Sequence, residues 1–220
     1  MYEKRVSKEQ LYKTFASLAS ALANPHRLEL IDLLLQAPRT VEALAREAHM
    51  TIANTSQHLQ RLKQAHLVTD EREGLFIRYR LASPAVARLW LELRNVAGQQ
   101  LAEVDRALED YRPKRHDFQK IYIENLQENL AKGETILLDV RPEVEFQAGH
   151  LPGAVSIPLD ELEQRLAEIP TGKLIVTYCR GPYCVFADEA LELLAGRGWE
   201  VARLEEGVAE WQLAGFSLER

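Results

Sequence analysis

Two cysteines, Cys179 and Cys184, stand five residues apart in the stretch LIVTYCRGPYCVFADE, Leu174 to Glu189. A cysteine is a nucleophile toward sulfur or carbon only as its thiolate, so its surroundings decide what it does. The apolar run Leu174-Ile175-Val176 reads as a short buried strand. It delivers Cys179 to a turn made of Arg180, Gly181, Pro182, Tyr183 and Cys184, after which Val185 to Leu194 shows helical periodicity. A cysteine at the end of a strand and just ahead of a helix N-terminus meets converging backbone N–H groups, which stabilise a thiolate. Arg180 adds positive charge beside it. Two plainer readings compete: a pair of buried cysteines in a tight loop, or half of a structural zinc site. The loop is too polar and too punctuated for ordinary core, and two cysteines fall short of a zinc set.

A second group of residues points to another chemistry. Thr51 is placed to cap a helix over Ile52–Gln64, IANTSQHLQRLKQ. Leu59, Leu62 and Thr55 face inward on it. Ala53, Asn54, Ser56, Gln57, Gln60 and Arg61 lie on or near the outer face. Small polar and amide side chains at an exposed helix N-terminus suit base edges in the major groove, although a solvated helix face has the same look.

The elements before that helix are short. Leu11, Phe15, Leu18 and Leu22 share a face of a helix over residues 8–23. Asn24 and Pro25 stop it and start another, about Pro25 to Gln36. Pro38-Arg39 is a break, and Thr40 caps a helix of about Val41 to Ala48. A tight turn at His49-Met50 leads into Thr51, which completes a helix-turn-helix pattern. A ribbon follows: Leu67-Val68-Thr69 as a strand, Asp70 to Gly74 as a turn, and Leu75 to Leu81 as the return. That is a wing, with Arg72 at its tip aimed at phosphate or the minor groove. Ser83 to about Tyr111 reads as one long helix, its apolar stripe interrupted by Gly98. Its apolar positions Val86, Leu89, Trp90, Leu93, Val96, Leu101, Val104 and Leu108 call for a partner, and we read them as a dimer seam, with packing on the second domain as the other option.

The charged cluster Arg112 to Asp117 marks a domain boundary, and Phe118 to Ala131 resume a helical pattern. The expected division is 1–112 for DNA binding and dimerisation, 113–132 for a linker and connecting helix, and 133–220 for the second domain. From Glu134 short strands alternate with helices, the mark of an α/β fold. Charge follows the same division. Residues 1–112 carry 16 Lys+Arg against 14 Asp+Glu, and residues 113–220 carry 11 against 19, within a net charge of −6. The first half tolerates a polyanion; the second is repelled by one. The N-terminal residues are charged rather than apolar, and no apolar run approaches a membrane span, so a cytoplasmic chain with no membrane partner and a reduced thiol pair is expected.

Residues 16–82 resemble the winged helix-turn-helix repressors of the arsenic-repressor family, through ALANPHRLELIDLL, TVEALAREAHMTIANTSQHLQRLKQAHLV and REGLFIRYRLA. The resemblance implies a homodimeric repressor that leaves double-stranded operator DNA on sensing an effector, with Thr51–Lys63 as recognition helix. The expected DNA-facing residues are Thr51, Asn54, Ser56, Gln57, Gln60, Arg61 and Arg72. The family's cysteine metal site would fall in TVEALAREA, which has no cysteine, and its Asp/His site in the last helix, which here has no histidine. His26, His49, His58 and His66 are scattered and read as cap, core-edge or phosphate-facing residues. No metal and no cofactor is therefore expected.

Residues 133–218 resemble a rhodanese domain, through LLDVRPEVEFQAGHLPGAVSIPL, IVTYCRGPYC and GRGWEVARLEEGVAEWQLAG. The implied fold is an α/β domain with a central, mostly parallel sheet. The implied chemistry is persulfide formation on Cys179 from a sulfane-sulfur donor such as polysulfide or a persulfide, in a cradle of loop N–H groups. Asp139 and Arg141 fall in the family's DVR stretch and order the loop. His150 falls at a structural position. Pro182 stands where the common loop has a glycine, and Cys184 where it has an arginine or threonine, which weakens a site for anionic thiosulfate. In exchange, Cys184 offers a second thiol to attack a Cys179 persulfide and form a disulfide or sulfur-bridged link. The leading reading is a repressor that senses reactive sulfur. A sulfurtransferase targeted or regulated by its DNA-binding domain is the enzyme alternative, and a dimeric scaffold with an inactive second domain is the third.

Overall fold

The computed structural model describes residues 2–131, 133 and 135–220. Lys132 and Glu134, which bracket the expected start of the second domain, lie outside the described residues. The chain divides into two compact units, the first ending at Glu92 and the second beginning at Leu93.

The first unit contains α1 (Tyr2–Leu22), α2 (Pro25–Gln36), β1 (Arg39–Thr40), α3 (Val41–Glu47), α4 (Ile52–Gln64), β2 (Val68–Glu73), β3 (Phe76–Leu81) and the start of α5 (Pro84–Gln100). The three expected caps form: Asn24 accepts from the Arg27 N–H, Thr40 from Ala43 and Thr51 from Asn54. Leu30, Ile31, Leu34, Leu44, Leu59 and Leu62 fill the core between α2, α3 and α4, and Tyr79 and Val86 close it. The wing is longer than expected. Pairing runs from Val68↔Leu81 to Glu73↔Phe76, so the turn shrinks from Asp70–Gly74 to Gly74 and Leu75, with Gly74 at φ 61°. The ion pair of Arg78 with Glu73, at 2.7 Å, supports those outer rungs. Arg39, expected as a break, pairs with Tyr79 and gives the ribbon a third strand.

Trp90 is held to α2 by its Nε1–H, which donates to Asp32 Oδ1 at 2.7 Å. The single long helix expected over Ser83 to about Tyr111 is corrected: α5 passes through Gly98, but the chain turns extended at Leu101 before α6 (Ala102–Tyr111). Gly98 serves a different purpose, since a Cβ there would lie 3.1 Å from the Tyr183 hydroxyl.

The second unit continues with β4 (Gln119–Ile121), α7 (Ile123–Ala131), β5 (Thr135–Asp139), α8 (Glu143–Ala148), β6 (Val155–Ser156), α9 (Leu159–Leu162), β7 (Leu174–Tyr178), α10 (Phe186–Gly196), β8 (Val201–Leu204) and α11 (Val208–Leu213). Among the described residues these strands form a sheet of order β4-β8-β7-β5-β6, with every neighbouring pair parallel. The stretch read as linker and helix therefore differs in the structure: Gln119–Ile121 is the sheet's edge strand, pairing with Ala202–Leu204, and only α7 is helical. The expected helix over 159–169 is also shorter. It ends at Leu162 and resumes as a 3₁₀ turn at Leu166–Glu168, which lets both Leu162 and Ile169 reach the core.

Alternation along the strands sorts the sheet's two faces. Val176 and Tyr178 join Leu137, Ala202 and Leu204 on one face. Ile175 and Cys179 join Leu138, Val201 and Ala190 on the other. Because all strands run the same way, the loops after β5, β7 and β8 gather at one edge, where ligands of parallel sheets bind. No helix among the described residues is long and apolar enough to cross a membrane.

Candidate functional site

Cys179 follows β7 directly and is 1 % exposed. The loop after it folds back, with the Cys184 N–H donating to the Gly181 carbonyl at 3.2 Å and the Cys184 carbonyl lying 3.6 Å from the Cys179 sulfur. Burial alone would push the Cys179 thiol up. It is outweighed by the neighbouring Cys184 thiol acting as donor, by the charge of Arg203, and by the N–H groups of Ala187 and Gly181. The thiol is thereby lowered to about 6. Cys184 moves the opposite way, well above the ordinary thiol value, because its proton serves the Cys179 sulfur and because burial disfavours its charge. The two thiols thus form an unequal pair, a thiolate and its donor.

The cation beside the thiolate is not the one expected. Arg180 turns away and forks onto Glu145, with Nε 2.9 Å and Nη2 2.6 Å from Oε1, its guanidinium lying over the Phe186 ring. Arg203 takes its place. Thr177 and Arg203 are register partners on β7 and β8, and the alternation that puts Val201 on the Cys179 face puts Arg203 there too. Arg203 Nη2 lies 3.8 Å from the Cys179 sulfur and donates to the carbonyls of Gly181 at 3.1 Å and Cys184 at 2.9 Å. Its Nη1 donates to Asp188 Oδ1 at 2.6 Å. A lone arginine on the apolar side of VARL was the available signal.

Asp139 and Arg141 do not touch the thiol. Both are fully buried and paired, with Arg141 Nη2 2.6 Å from Asp139 Oδ2 and also bonded to the Gly149 carbonyl. They fix the turn that starts α8, and α8 carries Glu145, the partner of Arg180. His150 stacks on Phe146 and bonds its carbonyl through Nδ1, a structural role. Gly207 has a packing reason of its own: a Cβ there would lie 2.7 Å from the Arg180 carbonyl carbon and the Gly181 nitrogen. Only glycine lets α11 start this close to the loop.

In the first unit, α4 presents Ala53, Gln57 and Gln60 exposed and Ser56 half-buried, with Thr55 and Leu59 inward. Thr51 is occupied as the cap, Asn54 sits at the flank with its amide near the Met50 sulfur, and Gln60 also donates to the Tyr79 hydroxyl at 3.1 Å. Arg61 departs from this face and borders a cleft with Ser17, Ser20 and Arg27. Arg72 is exposed near the wing tip, its Nε donating to the Gly74 carbonyl.

Comparison with known proteins agrees with both units. Residues 24–70 match the bacterial regulatory protein, arsR family, and residues 122–214 match the rhodanese-like domain. The HTH-type transcriptional regulator Rv0324 of Mycobacterium tuberculosis is 43% identical over 212 residues, covering 96% of this chain and 93% of that protein. The chain belongs to the arsR family of bacterial regulatory proteins. A protein of Allochromatium vinosum named sulfurtransferase is 31% identical over 96 residues, 43% of this chain and 89% of that one. A solved homodimeric winged helix-turn-helix DNA-binding domain, fragment 1–100 of Mb0332 from Mycobacterium bovis, is 41% identical over 44% of this chain and 89% of its own, with TM-score 0.42.

Among the described residues no group of three or more His, Cys, Asp or Glu side chains is placed to hold a metal ion. What the regulator has instead is a rhodanese-like loop ringed by arginines that each carry a carboxylate partner: Arg180 with Glu145, Arg203 and Arg112 with Asp188, and Arg94, over the Tyr183 ring, with Glu210. Sequence reasoning missed Arg203, Asp188 and Glu145, and took Arg112 for part of an exposed hinge.

Proposed function

We propose that this arsR-family regulator is a homodimeric repressor of operator DNA that responds to reactive sulfur at Cys179. The observation that carries the reading is the buried Cys179 sulfur with Arg203 Nη2 3.8 Å away and the Cys184 loop folded back over it, in the same chain as the exposed, amide-rich face of α4. A polysulfide is the fitting donor. The Cys179 thiolate attacks its terminal sulfane sulfur, one S–S bond forms, the donor's S–S bond breaks, and the shortened polysulfide leaves with the electron pair. Attack by Cys184 on the Cys179 sulfur then closes a disulfide, and hydrosulfide leaves with the Cys184 proton. Both steps follow the ordinary course of thiol–disulfide exchange. A sulfurtransferase reading is favoured by the likeness to the Allochromatium protein; the second thiol, which would discharge a Cys179 persulfide within the chain, favours a switch over turnover.

Dimerisation is supported by apolar side chains left in water. Leu11 and Phe15 on α1 are more than half exposed, and Leu89, Leu93 and Val96 on α5 are exposed too. The seam we read on the long helix is thus extended to include α1, while Val86 and Trp90 pack within the first unit.

The experiment is a gel shift of the full-length protein on its operator, before and after polysulfide. Cys184→Ser divides two forms of the signal. If the link is the signal, this variant takes up sulfur, seen by intact mass, yet stays on DNA. If a bare persulfide is the signal, it takes up sulfur and leaves. We expect it to stay.

The DNA face has its own test. Ser56→Ala with Gln57→Ala is expected to weaken operator binding by about 1–3 kcal/mol, the worth of a good base contact, with little change on random DNA. Arg72→Ala is expected to weaken both and to lower the salt slope by about one. Equal losses on operator and random DNA for the helix variant would remove α4 as the reading element.

A further inference from the structure

The residue that ends α6 is buried against the sulfur loop. Arg112 is 3 % exposed, although it opens the charged run Arg112 to Asp117. Its Nε lies 2.5 Å from Asp188 Oδ2, its Nη2 lies 3.0 Å from Asp188 Oδ1, and its Nη1 donates to the Pro182 carbonyl. Asp188 Oδ1 also takes Arg203 Nη1 at 2.6 Å. One carboxylate therefore holds two arginines, and those arginines hold the carbonyls of Gly181, Pro182 and Cys184 between them. Arg203 lies 3.8 Å from the Cys179 sulfur; Arg112 terminates a helix.

We infer that Arg203, Asp188 and Arg112 form a relay that carries the state of the Cys179 sulfur to α6. The inference rests on the sulfur-sensing reading above and names the means by which that site is read out. Two physical facts drive it. A thiolate beside Arg203 is an anionic partner, and a disulfide is neutral, so closing the Cys179–Cys184 bond removes one of the charges that Arg203 faces. The same bond draws Cys184 toward Cys179 and so displaces the loop carbonyls that both arginines grip. Asp188 cannot follow both arginines at once, and a buried carboxylate pair holds its geometry or breaks it rather than stretching. Arg203, with the thiolate gone, keeps Asp188 and the Glu205 carboxylate 3.7 Å from its Nε; Arg112 loses Asp188, and the end of α6 loosens. A bare persulfide keeps its negative charge and leaves Cys184 in place, so it moves the relay less. α6 follows α5 directly, and α5 begins in the DNA-facing unit, so the helix that feels the change is covalently continuous with the half that reads DNA.

The test is hydrogen exchange on the full-length protein, with and without polysulfide, read on residues 102–112 together with intact mass and operator affinity. In the native protein we expect sulfur loading to raise exchange across α6 about tenfold, as in a local opening. In Arg112→Gln, compared with the native protein at equal sulfur loading by intact mass, we expect α6 exchange already raised and no further rise on loading. Arg112→Lys is the companion should Arg112→Gln fold poorly: it keeps the charge beside Asp188 but cannot grip Asp188 and Pro182 together, and we expect it to behave alike. α6 exchange that does not change on loading of the native protein overturns the relay, as does an equal change in the native protein and both variants. A change in α6 without any change in operator affinity leaves the relay standing and overturns the sensing reading instead.

Discussion

Cys179→Ser is expected to take up no sulfur and to stay on operator DNA at polysulfide concentrations expected to load the native protein. This is expected to be a complete loss, because the one ionised thiol of the pair is gone and Cys184 keeps its proton. The acidity can be measured directly. Trypsin cuts after Arg180, so Cys179 and Cys184 fall on separate peptides. The Cys179 thiol is lowered to about 6, so its ionised fraction is large at neutral pH and falls as pH drops through that value. Alkylation of the Cys179 peptide is therefore expected near its plateau at pH 7 and at about half of it near pH 6, with the Cys184 peptide labelled only in alkali. Faster labelling of Cys184, or a Cys179→Ser protein that still leaves DNA in polysulfide, overturns the assignment.

Arg141→Met is expected to destabilise the rhodanese-like unit by about 3–5 kcal/mol, since it strands a carboxylate in the interior. Asp139 and Arg141 are both fully buried, and the guanidinium also satisfies the Gly149 carbonyl. In a unit of this size such a loss lowers the melting temperature by at least about 10 °C. The pair is better judged with its second half removed as well. Arg141→Met with Asp139→Leu no longer buries a lone charge, and most of the stability should return. A single variant that melts within a degree or two of the native protein would show that the pair is not buried as described. Neither residue touches the thiol, so the double variant should retain an acidic Cys179, which separates holding the fold from doing the chemistry.

Much of this was legible in the order of residues. Asn24, Thr40 and Thr51 each announce a helix start, and each accepts the expected N–H. The alternation of apolar runs after residue 134 announces a parallel sheet, and Cys179 at the end of one run announces its edge. What was hidden depended on contacts between distant residues. Arg180 is adjacent to Cys179 in the chain yet belongs to Glu145, and Arg203 is 24 residues away yet reaches the sulfur through strand register. Arg112 looked like solvent-exposed hinge because nothing nearby in the chain shows that Asp188 waits for it. β1 and β4 have two and three residues, too few to show a period, and are strands only because a neighbour's edge accepts them.

The pairing of β4 with β8 has a consequence for how the protein comes into being. β4 precedes its partner by about 80 residues, and β8 also brings Arg203. The DNA-facing unit is built from neighbouring helices and a tight ribbon, contacts that close early and locally. As the chain leaves the ribosome, that unit is complete while the sheet still lacks a central strand. The share of the Cys179 acidity that Arg203 supplies is therefore expected only once the last strand pairs between β4 and β7, while the share from Cys184 and the loop N–H groups needs only the loop itself.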